Sequence, residues 1–274
     1  WPEANPEPKP PLSAVLSAAE IEAKVLDSRR QTAALAGRYA VEIGPVQLQA
    51  ELDRMAAATK APDQLRALYA ALDNDPARIA ACLAQPNLVR QQLRRAYQWD
   101  ADQHGAVRVQ ARAELAKGTP SAQTHEVIYR REASETTSPE RSADGPIEIP
   151  LSTDEWIERV AQLETSDEVA KANPTDALRE TEDAFVYERV LKRTDDALTV
   201  QVQVWPKRSF DAWWREESHR WPAKAPEMLS SKLDLPLPRD LKAGITKAGE
   251  DELWRVEIDA PNPRAYHTAV WTGS

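Results

Sequence analysis

The amino-acid sequence predicts an α+β protein, with an all-helical N-terminal domain followed by a small mixed domain that contains an antiparallel hairpin. From Ser17 to about Lys117, apolar residues recur at helical spacing in short segments that begin at prolines. Later in the chain, Val200, Val202 and Val204 alternate with polar residues, as in a strand with one buried face. The chain has 274 residues, 42% hydrophobic and 29% charged, which is a globular balance. We therefore expect folded domains rather than a disordered chain.

The helical domain is expected to consist of short helices that meet at corners. Ser17 and Glu20 form a capping-box pattern ahead of the first apolar stripe. Later helix starts are indicated by prolines at first-turn positions: Pro45, Pro62, Pro76 after Asp75, and Pro86 after Gln85. We expect Pro86 to break the preceding helical run and restart it, because proline lacks the backbone N–H that an uninterrupted α-helix uses. The proline-rich residues 1–16 are expected to form an extended arm.

The mixed domain is expected to begin with a strand at 124–131 and a Ser/Thr/Pro-rich segment at 133–146. A second capping box, formed by Ser152 and Glu155, predicts a helix with its apolar face toward a core. The remaining elements expected are strands at 185–192 and 198–205 joined by a turn at 194–196, an aromatic helix at 209–214 and a strand at 253–258.

Composition and motifs narrow the functions that the chain can have. The 35 basic and 44 acidic residues give a net charge of -9, which repels a phosphate backbone, so we expect no nucleic-acid partner. No stretch is long and apolar enough for a membrane span, and no nucleotide-binding or hydrolase motif occurs. The four histidines stand at no recognised ligand spacing, so we predict no metal and no cofactor. The single cysteine, Cys82, is expected in the core beside Ile79 and Leu83.

The sequence of the predicted helical domain resembles the N-terminal domain of SurA-like periplasmic chaperones. The resemblance covers roughly residues 17–115 and is carried by the segments 45–57, 65–72, 74–76 and 79–84. Those chaperones pair this domain with parvulin-type prolyl isomerase domains, and residues 124–128, with His125, look like the first parvulin strand. Residues 184–187 look like the closing strand, but Val186 stands where the family has its second histidine. The family's glycine-rich loop is also missing, since no glycine occurs from Pro146 through Ala243.

The last residues carry a different resemblance. Residues 263–274 look like the first strand of a kelch repeat, the unit of β-propellers. The chain also begins at Trp1 rather than at methionine. Together these features lead us to expect the leading module of a longer, processed and exported protein, either periplasmic or secreted. A single strand cannot form a blade without neighbouring repeats.

Candidate site residues are few. His125 is the sharpest candidate for proton chemistry, but Glu126 beside it points to the opposite face of a strand, so we assign no catalytic residue. The nine tryptophans are an unusual feature of the composition. Neighbouring aromatic side chains can bind unfolded peptide or build a core. We expect Trp213 to pack on the valine face of the hairpin and Trp214 to point toward the helical domain or a client. The candidate client-binding residues are Trp205, Trp214 and Trp221.

These observations predict four regions: the arm at 1–16, a SurA-like helical domain at 17–118, a degenerate parvulin-like domain at 119–221, and a proline-rich connector with a truncated kelch-like region at 222–274. The resemblance implies a non-catalytic chaperone-like or scaffolding module that captures extended polypeptide clients in grooves between helices, or that holds an attached propeller. Two alternatives stay open, an active parvulin-type prolyl isomerase that uses His125 and a purely structural stalk of an exported protein.

Overall fold

The computed structural model describes residues 16–121, 123–131, 147–224 and 233–238, and the described chain is an α+β fold. The helices are α1 (Ala18–Tyr39), α2 (Pro45–Ala58), α3 (Pro62–Ala71), α4 (Pro76–Ile79), α5 (Gln85–Gln98), α6 (Ala101–Ala116), α7 (Thr153–Ala172) and α8 (Phe210–Glu217). The strands are β1 (Gln123–Arg131), β2 (Ile147–Leu151), β3 (Arg179–Glu180), β4 (Ala184–Arg193) and β5 (Ala197–Pro206). The predicted fold class is confirmed.

Local signals fix where most helices begin. Ser17 and Glu20 form the predicted capping box, in which the Glu20 carboxylate accepts from the Ser17 backbone N–H at 2.7 Å. Ser152 and Glu155 form the same box at the start of α7. All four predicted prolines lie in the first turns of their helices: Pro45, Pro62, Pro76 and Pro86. Each of these devices satisfies or removes backbone donors that a helix start leaves unpaired.

The predicted break at Pro86 is wrong, because α4, a π-helical turn (Ala80–Ala84) and α5 form one continuous run. A π-helical turn bonds each N–H to the carbonyl five residues earlier, and such a wider turn leaves room for a proline ring within a helix. The wider turn also changes which side chains face inward. Ile79, Ala80 and Ala84 are buried, whereas Cys82 is exposed, which corrects the prediction that Cys82 lies in the core.

The five strands form one mixed sheet in the order β2-β1-β5-β4-β3. β1 runs parallel to β2 and antiparallel to β5, and β4 and β5 form the predicted hairpin. Helix α7 covers one face of the sheet, where Trp156 and Leu163 share a core with Val127, Tyr129 and Val200. The sequence did not indicate the short edge strand β3 or the parallel strand β2.

Part of the opposite face of the sheet packs on helix α6. Phe185 and Trp205 of the hairpin form a core with Ala111 and Leu115. The Trp205 Nε1–H also donates to a Glu114 carboxylate oxygen at 2.7 Å. The helices and the sheet therefore share an apolar contact rather than lying at the two ends of a linker.

Helix α8 follows the sheet in sequence but belongs to the helical core. Phe210, Trp213 and Trp214 are all buried against α1 and α5. The Trp213 ring stacks on Tyr97 with ring centroids 4.5 Å apart, and the Trp214 Nε1–H donates to Asp27 at 2.7 Å. The prediction that Trp213 packs on the hairpin valines is therefore wrong, whereas Trp214 does point toward the helical domain. Both indoles find apolar surroundings because α8 packs against two helices at once.

The regions predicted at 17–118 and 119–221 consequently do not match the separate cores. Residues 207–221 pack with the helices, and so do residues 233–238 from the predicted connector. The sheet is thus inserted into the helical unit between α6 and α8. The structures predicted for residues 1–15, 133–146, 253–258 and 263–274 lie outside the described residues.

A fragment of residues 17–118 should not fold like the intact chain, because it lacks the three aromatic side chains of α8. Truncating a buried aromatic residue costs about 3–5 kcal/mol, and a domain has only about 5–15 kcal/mol of stability in total. We expect the fragment to show helical circular dichroism without the cooperative thermal transition of the full chain. A transition at the same temperature in both would contradict the role assigned to α8.

Trp213→Ala and Trp214→Ala should each lower the free energy of unfolding by about 3–5 kcal/mol, since both indoles are buried. Trp99→Ala is the matched control. The Trp99 ring is 50% exposed and contacts the Lys207 ammonium, so its loss should cost about 1 kcal/mol. Urea denaturation of the three variants measures the difference. Equal small effects for all three would show that α8 does not hold the helices together.

Candidate functional site

The candidate site is a groove on the helical unit, which we call the helical groove. Its walls come from α2, α3, α4 and the π-helical turn, and its buried members are Leu48, Leu52, Leu65, Tyr69, Ile79, Ala80 and Ala84. The groove is filled by residues 233–238 of the same chain, which we call the 233–238 segment. Leu233 is 8% exposed and belongs to the groove cluster, and Leu235 packs against that cluster in a partly buried position.

Gln49 on α2 recognises the backbone of this segment. Its Oε1 accepts from the Asp234 backbone N–H at 2.8 Å, and its Nε2 donates to the Asp234 carbonyl at 3.0 Å. One side-chain amide thus pairs with both backbone groups of a single residue, as a neighbouring strand residue does in an antiparallel ladder. The Asp53 carboxylate accepts a further hydrogen bond from Gln49 Nε2 at 2.9 Å. Because a carboxylate only accepts, Asp53 fixes which end of the Gln49 amide carries the nitrogen.

The sequence of the segment favours an extended backbone. Pro236 and Pro238 fix their own φ angles and disfavour the helical region at the residues before them. The described segment contains no helix or strand. Its Pro238 carbonyl lies 3.5 Å from a guanidinium nitrogen of Arg66 on α3, so the segment reaches from α2 to α3. The arrangement holds an extended chain by its backbone and by two buried side chains, Leu233 and Pro238.

The groove also contains one buried polar group that has no visible partner. The Tyr69 side chain is buried among the groove leucines, and among the described residues its hydroxyl forms no hydrogen bond. Burial raises the pKa of Tyr69, so the hydroxyl stays protonated and can act as a donor. A buried hydroxyl without a partner costs free energy, which a ligand with a nearby carbonyl would recover.

His125, the catalytic candidate, is not placed beside a second reactive group. Its strand β1 pairs with β2 and β5, so β4 and its Val186 are not direct neighbours. The residue directly across from His125 is Val202. The His125 Nε2 is buried and forms no hydrogen bond with the described residues. The expectation that Val186 stands where the family has its second histidine stays a prediction.

The three tryptophans predicted to bind clients lie inside the structure. Trp205 and Trp214 are 3% and 8% exposed, and Trp221 is partly buried. The Trp221 ring lies so close to Gly37 that a Cβ added there would sit 2.6 Å from its Cζ3 atom. Client binding by these residues stays a prediction, and it would require the cores around them to open.

A second concave region lies between α7 and β4 and encloses about 840 Å³. Its charged floor is already paired, since the Arg159 guanidinium bonds to Glu188 at 2.6 Å and to the Tyr129 hydroxyl at 2.8 Å. Arg179 at the rim bonds to the second Glu188 oxygen at 3.3 Å. These ion pairs satisfy one another and offer no group that is poised to react.

Comparison with known proteins finds no matching family model, no similar curated protein and no similar solved structure. Within the described ranges, no group of three or more His, Cys, Asp or Glu residues is placed to hold a metal ion. Helices of the described chain are also too short or too polar to cross a membrane.

Sequence reasoning missed the helical groove as a specific site, because it treated the 233–238 segment as part of a connector. One signal was available. Leucines alternate at 233, 235 and 237 and are separated by an aspartate and a proline, which is the pattern of an extended chain with one apolar face. The surface that binds this segment could not be predicted from the sequence, because Gln49 is separated from the segment by more than half of the chain.

We predict that the chain does not accelerate prolyl isomerisation. Catalysis of a rotation with a barrier of about 18–20 kcal/mol requires a shaped pocket around the proline, and the residue across from His125 is a valine. A protease-coupled peptide assay should give the uncatalysed rate for the wild type and for His125→Ala alike. Robust acceleration that disappears in His125→Ala would establish the enzyme instead.

Proposed function

We propose that this protein is a non-catalytic module that binds extended polypeptide segments in the helical groove. One observation supports the proposal: the groove already holds an extended, leucine-containing segment through its backbone. The contacts made to the 233–238 segment are those that an unrelated polypeptide would need. The resemblance to SurA-like chaperones is consistent with such a role, and the proposal includes an extracytoplasmic location.

Recognition in the groove has a general part and a selective part. In the 233–238 segment Gln49 bonds only to backbone atoms, which every residue except proline presents in the same way. The pocket around Leu233 selects an aliphatic side chain by burying it. A module built in this way accepts many sequences, provided that they are extended and offer an apolar residue beside the paired one.

The magnitudes indicate weak, reversible binding. Burying one leucine fully and a second one partly contributes about 3–5 kcal/mol, and two hydrogen bonds add about 1–3 kcal/mol. Association costs at least about 4 kcal/mol in lost motional freedom. The net gain of about 0–4 kcal/mol corresponds to a Kd on the order of 1 mM or weaker for a short peptide. Weak capture suits a client that must be released.

The alternatives make different use of the same surfaces. An isomerase would use His125 and would not need the groove. A structural stalk would keep the 233–238 segment in place permanently and would bind nothing else. Capture of a peptide supplied in trans therefore separates the proposed function from both alternatives.

The test uses a peptide with the sequence of residues 231–240, Ser-Lys-Leu-Asp-Leu-Pro-Leu-Pro-Arg-Asp. The protein carries Leu233→Ser and Leu235→Ser, a combination that we call the open variant because it removes the apolar anchors of the chain's own segment. We expect saturable changes in its NMR spectrum at peptide concentrations up to several times the expected Kd. The same peptide with both of its anchoring leucines replaced by serine should cause no such change.

Adding Gln49→Ala to the open variant should weaken peptide binding about 5- to 160-fold, because it removes two hydrogen bonds worth about 0.5–1.5 kcal/mol each. Gln91→Ala, at an exposed position of α5, is the matched control and should leave the affinity unchanged. Binding that is insensitive to Gln49, or that occurs equally with the serine peptide, would argue against the groove as the site.

A further inference from the structure

We infer that the 233–238 segment is a tethered plug that regulates the helical groove by competing with free polypeptide. This inference rests on the proposed function of the groove and adds its regulation. The segment would occupy the groove when no client is present. A client would bind by displacing it rather than by entering an empty site.

The plug is held by few contacts compared with the rest of the helical unit. Leu233 and Pro238 are buried, Leu235 and Pro236 are only partly buried, and Leu237 is 78% exposed. Its hydrogen bonds to side chains run through Gln49 and Arg66. Helix α8, in contrast, buries three aromatic side chains. A segment with so little buried area is among the first parts of a structure to open, so it can leave while the helices stay folded.

The groove can make the same backbone hydrogen bonds to the plug and to a client. Gln49 reads the N–H and carbonyl of Asp234, and it makes no contact that depends on the aspartate side chain. The Asp234 side chain is exposed and pairs with nothing among the described residues. Any extended segment with a leucine before the paired residue can thus make the same bonds. The plug differs from such a client only in being attached to the chain.

Attachment gives the plug its advantage. A covalent tether replaces a second-order encounter by an internal one, with an effective concentration on the order of mM for short connections. This concentration is comparable with the tight end of the Kd range expected for a peptide of this length. The plug therefore fills the groove about half of the time or less in free exchange, and a longer client with additional contacts can displace it. The competition lowers the apparent affinity for a free peptide by a factor of one plus the ratio of effective concentration to Kd.

The same plug could also fill the groove of a second copy of the chain. The structure places it in the groove of its own chain, and we commit to that arrangement. Exchange between copies would make the occupancy depend on protein concentration, which a tether within one chain does not. Measuring the molar mass of the wild type over a 100-fold range of concentration tests this point, and a growing dimer fraction that the open variant lacks would overturn the inference.

The deciding experiment compares the affinity of the 231–240 peptide for the wild type and for the open variant by NMR titration. We expect the open variant to bind about 2-fold more tightly. Leu237→Ser is the matched control, since it replaces an exposed leucine of the same segment, and it should bind as the wild type does. Equal affinities of wild type and open variant would overturn the plug while leaving the proposed function intact. Absence of binding to both would refute the proposed function itself.

Asp234→Pro provides a second route that leaves every leucine in place. Proline removes the N–H that donates to Gln49 and keeps the preceding residue extended. We expect this variant to bind the peptide up to about 2-fold more tightly than the wild type. If the open variant fails to fold, as judged by circular dichroism and melting, this comparison decides. An affinity equal to that of the wild type would then count against the plug.

Discussion

The burial of three aromatic side chains of α8 between α1 and α5 is the constraint on which the other features of the fold depend. After α6 the chain forms the sheet and then returns to deliver α8, so both ends of the sheet are attached to the helices. Lys207, which lies between the sheet and α8, stabilises the attachment of this part of the chain to the helices. Its ammonium, whose pKa is lowered by burial, lies 2.8 Å from the Glu180 carboxylate and donates to the carbonyls of Gln98 and Thr181. This charge is buried with its partners satisfied, as a buried cation must be.

The helical run from α4 through α5 connects this core to the candidate site. Its first part lines the helical groove with Ile79, Ala80 and Ala84, and its last part packs against α8 with Leu93 and Tyr97. The π-helical turn lies between the two, and its wider spacing sets which side chains face the groove. A packed helix transmits position because protein interiors have few voids into which it could shift. The groove is therefore a rigid surface, and the weakly held partner in it is the 233–238 segment.

Residue type alone is a poor guide to the candidate site of this protein. His125 and the tryptophans were candidates because such residues often serve catalysis or binding. In the structure His125 faces a valine across the sheet, and the indoles of Trp205 and Trp214 build cores. The groove instead uses leucines and a single glutamine, which are ordinary helix residues. They form a site because the extended segment lies across them, and residue types alone do not predict such an arrangement.

The sequence by itself determined the features that depend on neighbours within about four residues. Capping boxes at Ser17 and Ser152, proline starts and the alternation along β5 are interactions of this range, so they could be predicted. Only the tertiary structure decided the direction of the α8 indoles, the pairing of the short strands β2 and β3, the continuity of the helix through Pro86 and the docking of residues 233–238. These depend on contacts between distant parts of the chain, such as that of Gln49 with Asp234. Their free energy comes from apolar surface that becomes adjacent only once the chain has folded.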